Sequence, residues 1–431
     1  MDPLSGSRTG TPDLTLPLNK VVQGDALQVL RTFPDNSVSC CISSIPYWSL
    51  RNYSVPPSVW GGDTGCDHFF SNGFCKCGAW QGCLGEEPSP KQFVDNIVLV
   101  YREVRRVLHP RGTCWLNIGA SYASYRDGKV VPQTISDGNQ RNMPTENAVN
   151  RMRSVLEPIG IKNKDMVLTP YMLAVALQAD GWWFRSDIIW EKASAMPGSM
   201  KDRPTTSHEY IFLLTKNDQY FYDWYGVREP VTGGAHPRGN GVHPKSAKPG
   251  SGIKANTSFS EAVSDLVDSR NLRTVWRINS EPSALDTHFA TFPEALVARM
   301  LMAGSSEKGI CPECGSPMER IVAPSPEYAE FLGKGYHDHE NDAAAGNRQK
   351  KNKDAKKVNS SWVDKGWEKT CKHSFDKAVP AVVMDPFMGS GTSGIVAIKA
   401  RRNFVGIELN KEYAEKAQER IDTEMAQGRL L

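Results

Sequence analysis

Near the C-terminal end, the run Gly389-Ser390-Gly391-Thr392-Ser393-Gly394 fits G-x-G-x-x-G, with an apolar strand (Ala381 to Met384) before it and a helix after it. Glycines at that spacing permit a tight turn and let a ligand approach backbone N–H groups at a helix N-terminus. Glu408 closes the next strand, where a carboxylate accepts hydrogen bonds from ribose hydroxyls. The combination points to an adenosine-bearing cofactor. A dinucleotide enzyme usually opens its chain with this unit, whereas too little chain follows Gly394 to complete a doubly wound sheet, so the missing strands must come from earlier in the sequence. That order disfavours an NAD-type oxidoreductase.

Two sets of soft ligands form a second kind of chemistry. Cys311-x-x-Cys314 with Cys371-x-His373 supplies four donors in two knuckles, the number that tetrahedral zinc takes. Cys66-x-His68 with Cys75-x-Cys77 is a second set with a tighter spacing, and Cys83 stands near it as a substitute ligand. Four protein ligands leave no open coordination position, so both are expected to be structural zinc sites. Ten Cys without a secretory signal argue against a disulfide framework. Cys40, Cys41 and Cys114 lie in apolar runs and read as small buried hydrophobes.

The elements that must position these groups alternate between strand and helix. Lys20 to Gln23 reads as a short strand, and "SVSCCISS" as a buried one. Apolar residues at 93, 97, 100, 104, 107 and 108 mark a helix, and "TCWLNIG" a further strand. "MVLTPYMLAVALQADGWWFRSDIIWEK" reads as helix, Gly turn and strand, "HEYIFLLTK" as a strand, and "FPEALVARMLMAG" as a helix with a glycine cap. The strand ending at Ser43-Ser44 passes at once into Ile45-Pro46-Tyr47-Trp48, two large aromatics where a polar turn is the ordinary outcome.

Composition is that of a globular chain, 39% hydrophobic and 23% charged, and most of its eleven Trp are expected in the core. No apolar run reaches membrane-spanning length, and "MDPLSGSRTGTPDL" lacks a charged n-region followed by an apolar one, so a cytoplasmic location without membrane contact is expected. A net charge of +3 identifies no partner. Its distribution is uneven: ten Lys or Arg against five Asp or Glu from Asn341 to Lys377, and four basic residues with no acidic one from Val231 to Ser258. Such segments read either as phosphate contacts or as solvated loops.

Taken in order, these pieces resemble the β class of amino-directed DNA methyltransferases, which use S-adenosylmethionine. Asp385-Pro386-Phe387-Met388-Gly389-Ser390-Gly391-Thr392 is similar to the cofactor motif D-P-F-x-G-S-G-T, and Ser44-Ile45-Pro46-Tyr47 to the catalytic motif [S/D/N]-P-P-[Y/F/W]. "QGDALQVL" resembles the motif whose acid, Asp25, approaches the adenine, and "HFATFPEALV", with Phe292, the segment at the methionine end of the cofactor. The resemblance implies a circularly permuted Rossmann-like class I methyltransferase sheet, with target-recognition and zinc-binding segments inserted.

It also implies roles. Ser44 and the carbonyl of Ile45 hold both hydrogens of an exocyclic amino group, drawing its nitrogen towards sp³ geometry, while Tyr47 stacks on a base flipped from the duplex. Serine in first position resembles the N4-cytosine branch and aspartate the N6-adenine one, so N4-cytosine is expected ahead of N6-adenine. Ile45 departs from the pattern by replacing its first proline, which removes a fixed φ and adds an N–H. A DNA-binding homologue without catalysis is the alternative that this departure opens. Double-stranded DNA is the implied partner, with a cognate restriction endonuclease, and the chain is expected as monomer or homodimer.

The implied organisation is 1–55, catalytic-motif half; 56–90, Cys/His-rich insert; 91–225, the methyltransferase domain continued; 226–272, a basic loop for target recognition; 273–310, the cofactor-flanking helix; 311–377, a zinc-knuckle insert with a basic loop; and 378–431, the cofactor-binding strand, turn, helix, strand and helix.

Overall fold

The computed structural model describes residues 16–49, 55–123, 156–195, 198, 200–230, 269–280, 293–329 and 362–428. Phe292, most of the polar stretch after Ala123, and the cores of both basic segments lie outside the described residues. Eight strands form one sheet: β1 (Lys20–Gln23), β2 (Val38–Ser44), β3 (Leu108–Ile118), β4 (Trp183–Glu191), β5 (His208–Thr215), β6 (Val275–Arg277), β7 (Val382–Asp385) and β8 (Asn403–Glu408). Their spatial order is β1-β8-β7-β2-β3-β5-β4-β6. Neighbours run parallel except β5, which is antiparallel to both β3 and β4.

The two ends of the chain therefore interleave. The N-terminal β1 pairs with β8 (Lys20 with Val405, Gln23 with Glu408), and β2 pairs with β7 (Cys40 with Val383, Cys41 with Met384). This supplies the strands that the C-terminal segment lacks. Buried strands covered on both faces read as continuous apolar runs rather than as alternation, and β2 and β7 do so.

Helices cover both faces. On one lie α1 (Ala26–Leu30), α2 (Pro90–Val107) and α3 (Thr169–Ala179), and on the other α4 (Glu294–Gly304), α5 (Thr392–Lys399) and α6 (Lys411–Gly428). Ser89 caps α2 by accepting from Gln92 N at 3.2 Å, and Pro90 occupies its first turn, where no N–H is needed. Phe93, Ile97, Val100, Val104 and Val107 are fully buried along one stripe. Each such side chain stabilises the fold by about 1.5–3 kcal/mol. Trp48, Trp60, Trp80, Trp115, Trp182, Trp190 and Trp276 are core residues, as are Cys40, Cys41 and Cys114. Burial pushes the Cys40 thiol up to about 12, so it stays protonated and unreactive.

The first insert, irregular in the sequence, is a small antiparallel sheet in the order Ser58–Trp60, Trp80–Gly82, Phe74–Cys75, Phe70–Ser71. Strands of two or three residues are too short to leave a period.

The chain divides into two compact units. The sheet and its helices form the first, residues 1–222, 273–318 and 369–431. The second comprises 223–272 and 319–368. Within it, Arg320 donates to both oxygens of Asp223 (2.9–3.1 Å) and to Asp364, and lies 4.4 Å from the Trp367 ring centroid. This largely buried bidentate pair, with Trp224 edge-on to Trp362 at 5.6 Å, organises the unit's described residues.

Candidate active site

The carboxyl ends of β1, β8, β7, β2 and β3 lie along one edge of the parallel sheet, so Gln23, Glu408, Asp385, Ser44 and Ile118 end there together. Ligands of open α/β sheets bind at this edge. Adjacency of β2 and β7 puts the Ser44-to-Tyr47 turn beside the glycine-rich turn, although 340 residues lie between Ser44 and Asp385.

Asn117, near the end of β3, organises the first of these turns. Its Oδ1 accepts from Ser44 Oγ at 3.0 Å and lies 2.9 Å from Tyr47 Oη, while its Nδ2 donates to Glu209 Oε2 (3.2 Å) and to the Tyr210 carbonyl (3.1 Å). Tyr47 Oη shares its one proton between Asn117 and Glu209 Oε2, the latter at 2.6 Å, and Glu209 is ion-paired to Lys192. With its own proton committed to Asn117, Ser44 Oγ is left with lone pairs that can only accept. The Tyr47 ring lies over Gly119, where an added Cβ would stand 2.7 Å from Cε2, so only glycine lets the ring settle at this depth.

Ile45 is 2% exposed within the core, and its N–H donates to the Asn117 carbonyl at 3.4 Å. The N–H that proline would have lacked is thus used, and ladder bonding and packing hold the backbone where a ring would have fixed φ. Trp48 does not line the turn. It is 4% exposed, with Nε1 donating to the Glu87 carbonyl at 3.1 Å.

In the glycine-rich turn, Gly389 and Gly391 adopt left-handed φ values of 52° and 89°. Gly394 lies against α6 and β8, where a Cβ would stand 2.6 Å from Met388 Cε and 2.8 Å from Ile421 Cδ1. Glu408 accepts from Gly389 N and Asn410 N, each at 2.8 Å. Burial pushes its carboxyl upward, partly opposed by these backbone donors. Asp385 is 2% exposed and saturated: Oδ1 accepts from Ser43 Oγ (2.8 Å) and Phe387 N (3.0 Å), and Oδ2 from Ser393 Oγ (2.5 Å). It ties β2 to the glycine turn. Pro386 is buried beside it, Phe387 packs on the core, and Ser390 and Thr392 flank Gly391, their hydroxyls 3.4 Å apart. Asp25 caps α1 through Gln28 N (3.0 Å) and accepts from Ser58 Oγ at 2.6 Å. The left-handed turn and the half-buried carboxylate at the neighbouring strand end fit an adenosine-bearing cofactor.

Glu87 braces the other side of the Ser44-to-Tyr47 turn. Its side chain accepts from Gly85 N (2.8 Å) and Asn96 Nδ2 (3.2 Å), while Ser49 N donates to the Gly85 carbonyl at 2.7 Å. Burial raises its carboxyl from 4.5 to about 7, against the pull of its hydrogen-bond donors. In that window the folded chain keeps a proton that the unfolded chain has released, so this group's stabilising effect is lost as pH rises from about 4.5 to about 7. Glu87→Gln carries no such ionisation. Its unfolding free energy relative to wild type should therefore shift in the variant's favour across this range, by about 3 kcal/mol at most. A difference that stays constant with pH, by urea titration at several pH values, contradicts this.

Both Cys/His sets come together. The donor atoms of Cys66, His68, Cys75 and Cys77 lie within 4.8 Å of one another, as do those of Cys311, Cys314, Cys371 and His373. Cys83 stays apart, its Sγ 3.3 Å from the Val55 carbonyl. Sequence reasoning passed over Asn117, Glu209 and Lys192. The signal for Asn117 was a polar residue inside the apolar run "TCWLNIG", since a buried polar residue is the informative kind. Glu209 opens an equally apolar run.

The DNA methylase family model for N6- and N4-directed enzymes matches residues 38–312 and 379–419. The chain is 32% identical to the type II methyltransferase M.Cfr9I of Citrobacter freundii over 93% of its own length and 87% of that protein's. It is 31% identical to M.XycI of Xanthomonas campestris pv. cyanopsidis over 93% and 86%. Among solved structures, the cytosine-N4-specific PvuII DNA methyltransferase aligns over 96% of each chain, with 12% identity and a TM-score of 0.45. With the family model matching 38–312 and 379–419, and relatives near one-third identity along almost the whole chain, the protein belongs to the N6/N4 DNA methylase family.

Proposed function

We propose that this DNA methyltransferase acts on the exocyclic amino group of a base flipped out of duplex DNA, and that the group is N4 of cytosine. S-adenosylmethionine, when bound, supplies an electrophilic methyl group on a sulfonium. The observation that carries the proposal is the locked Ser44 hydroxyl. An amino nitrogen conjugated to a base is a poor nucleophile, and two fixed acceptors, Ser44 Oγ and the Ile45 carbonyl, draw its hydrogens out of the base plane, moving the nitrogen towards sp³ geometry and freeing its lone pair. Both are positioned before the base arrives, Ser44 by Asn117 and Ile45 by its ladder bond, so little reorganisation remains at the reacting step. Tyr47, held by its hydroxyl and by Gly119, offers the stacking face.

Cytosine rather than adenine rests on serine at the first position of the motif. For the cofactor, Gly389, Gly391 and the N-terminus of α5 shape the turn, Glu408 and Asp25 sit where ribose and adenine would lie, and Asp385 positions rather than touches. Retained acceptors and a satisfied Ile45 N–H favour catalysis over an inactive DNA-binding role. The cognate partner would be an endonuclease that cuts the same DNA site, in keeping with the type II names of the relatives.

The test is incorporation of labelled methyl groups from S-adenosylmethionine into varied duplex DNA. Transfer is expected. Protein that binds the cofactor and DNA yet labels no duplex contradicts catalysis.

A further inference from the structure

We propose that Cys66, His68, Cys75 and Cys77 hold one structural zinc ion that braces the residues on either side of the active site. Zinc–sulfur bonds of about 2.3 Å and zinc–nitrogen bonds of about 2.0–2.1 Å give a tetrahedron edges of roughly 3.8 Å between sulfurs and roughly 3.6 Å between sulfur and nitrogen. Cys66 Sγ and Cys75 Sγ are 3.7 Å apart, and Cys77 Sγ and His68 Nδ1 are 3.3 Å apart. A disulfide would need about 2.05 Å. His68 adopts a left-handed φ of 43°, uncommon for a residue with a Cβ, and this turn delivers its ring to Cys77. On the opposite knuckle, Gly78 takes φ 88° and its N–H donates to the Cys75 carbonyl at 2.9 Å, closing the turn that presents Cys75 and Cys77.

The insert is anchored in the main core by Trp60 and Trp80, but none of its residues 66–77 belongs to that core. Its strands are two or three residues long, and Phe69 is 84% exposed. Units below about 40 residues usually need a disulfide or metal. Four protein ligands close the coordination sphere, which suits a structural ion.

The insert is tied to the site at both ends. Ser58 Oγ donates to Asp25 Oδ2 at 2.6 Å, while the carbonyls of Gly85 and Glu87 hold Ser49 N and Trp48 Nε1, immediately after Tyr47. The bracing role rests on reading Asp25 and Tyr47 as cofactor and base contacts, whereas the metal itself does not. Cys311, Cys314, Cys371 and His373 carry a second ion on independent grounds. Cys311 Sγ lies 3.7 Å from His373 Nδ1, and Gly315 (φ 71°) donates to the Cys311 carbonyl at 3.0 Å in the same kind of knuckle. This set flanks Met318 and Lys369, where the chain leaves the first unit and returns to it.

The experiment is metal analysis of the purified full-length protein by inductively coupled plasma mass spectrometry. Two zinc ions per chain are expected, and one in each of the double variants Cys75→Ser/Cys77→Ser and Cys311→Ser/Cys314→Ser. Cobalt substituted into the wild type should show tetrahedral thiolate absorption, which needs neither variant to fold. Metal-free wild type, or both variants retaining two ions, overturns the assignment. Calorimetry with S-adenosylmethionine then tests the bracing: the first variant should lose affinity on the order of 10-fold and the second should not. Unchanged affinity in a first variant that has lost its ion overturns the bracing while the metal count stands. Wild type that binds two ions but no cofactor faults the methyltransferase reading instead.

Discussion

Ser44→Ala is expected to slow methyl transfer by about 10²–10³-fold, the effect of removing one preorganised hydrogen-bonding group at a reacting centre, while leaving cofactor affinity unchanged. The side chain is half-buried and, among the described residues, its hydrogen bond runs to Asn117, so the loss falls on the chemical step rather than on folding. Asn117→Ala should share most of this loss, because an unheld hydroxyl can turn its proton towards the substrate. The double variant is therefore expected to be little slower than Ser44→Ala. Single-turnover rates with saturating cofactor decide the matter. Full additivity of the two effects would mean that Asn117 acts by some route other than Ser44.

The second large effect is expected at Asp385. Alanine there leaves Ser43 Oγ, Ser393 Oγ and Phe387 N–H without their acceptor in a buried place, at about 1–3 kcal/mol for each donor left unsatisfied. Because these groups set the glycine turn against β2, S-adenosylmethionine affinity should fall by roughly 100-fold or more, an energy of about 3 kcal/mol. Asp385→Asn keeps the shape and one acceptor and should lose less. Isothermal titration of both variants checks the order. Equal affinity in wild type and Asp385→Ala would remove the glycine turn from the cofactor site.

Much of this was legible in the sequence, for physical reasons that differ by element. Strands buried on both faces are dominated by apolar residues rather than alternating, so β2, β7 and the Cys114–Leu116 stretch of β3 could be read directly. The G-x-G-x-x-G spacing reports backbone demands, and the left-handed Gly389 and Gly391 and the tight packing at Gly394 meet them. Candidate metal ligands stand out because donor type and spacing are themselves the constraint, and the donor atoms of each set of four lie within 4.8 Å of one another. What did not show were long-range partnerships. Nothing in the primary structure links Ser43 to Asp385, or Asn117 to Glu209 across β3 and β5, since only sheet order brings them together. For the same reason Asp385 read as a ligand contact, where the fold places it under the turn. β6, three residues long, has too little pattern to announce a strand.

In the proposed reaction, Ser44, Ile45 and Tyr47 hold the amino group of a flipped cytosine. The most direct test incubates the protein with duplex DNA and labelled S-adenosylmethionine, digests the product to nucleosides and identifies the labelled one by mass spectrometry. N4-methyldeoxycytidine, formed about 10²–10³-fold more slowly by Ser44→Ala, is the predicted result. N6-methyldeoxyadenosine, or label on carbon 5 of cytosine, would contradict it.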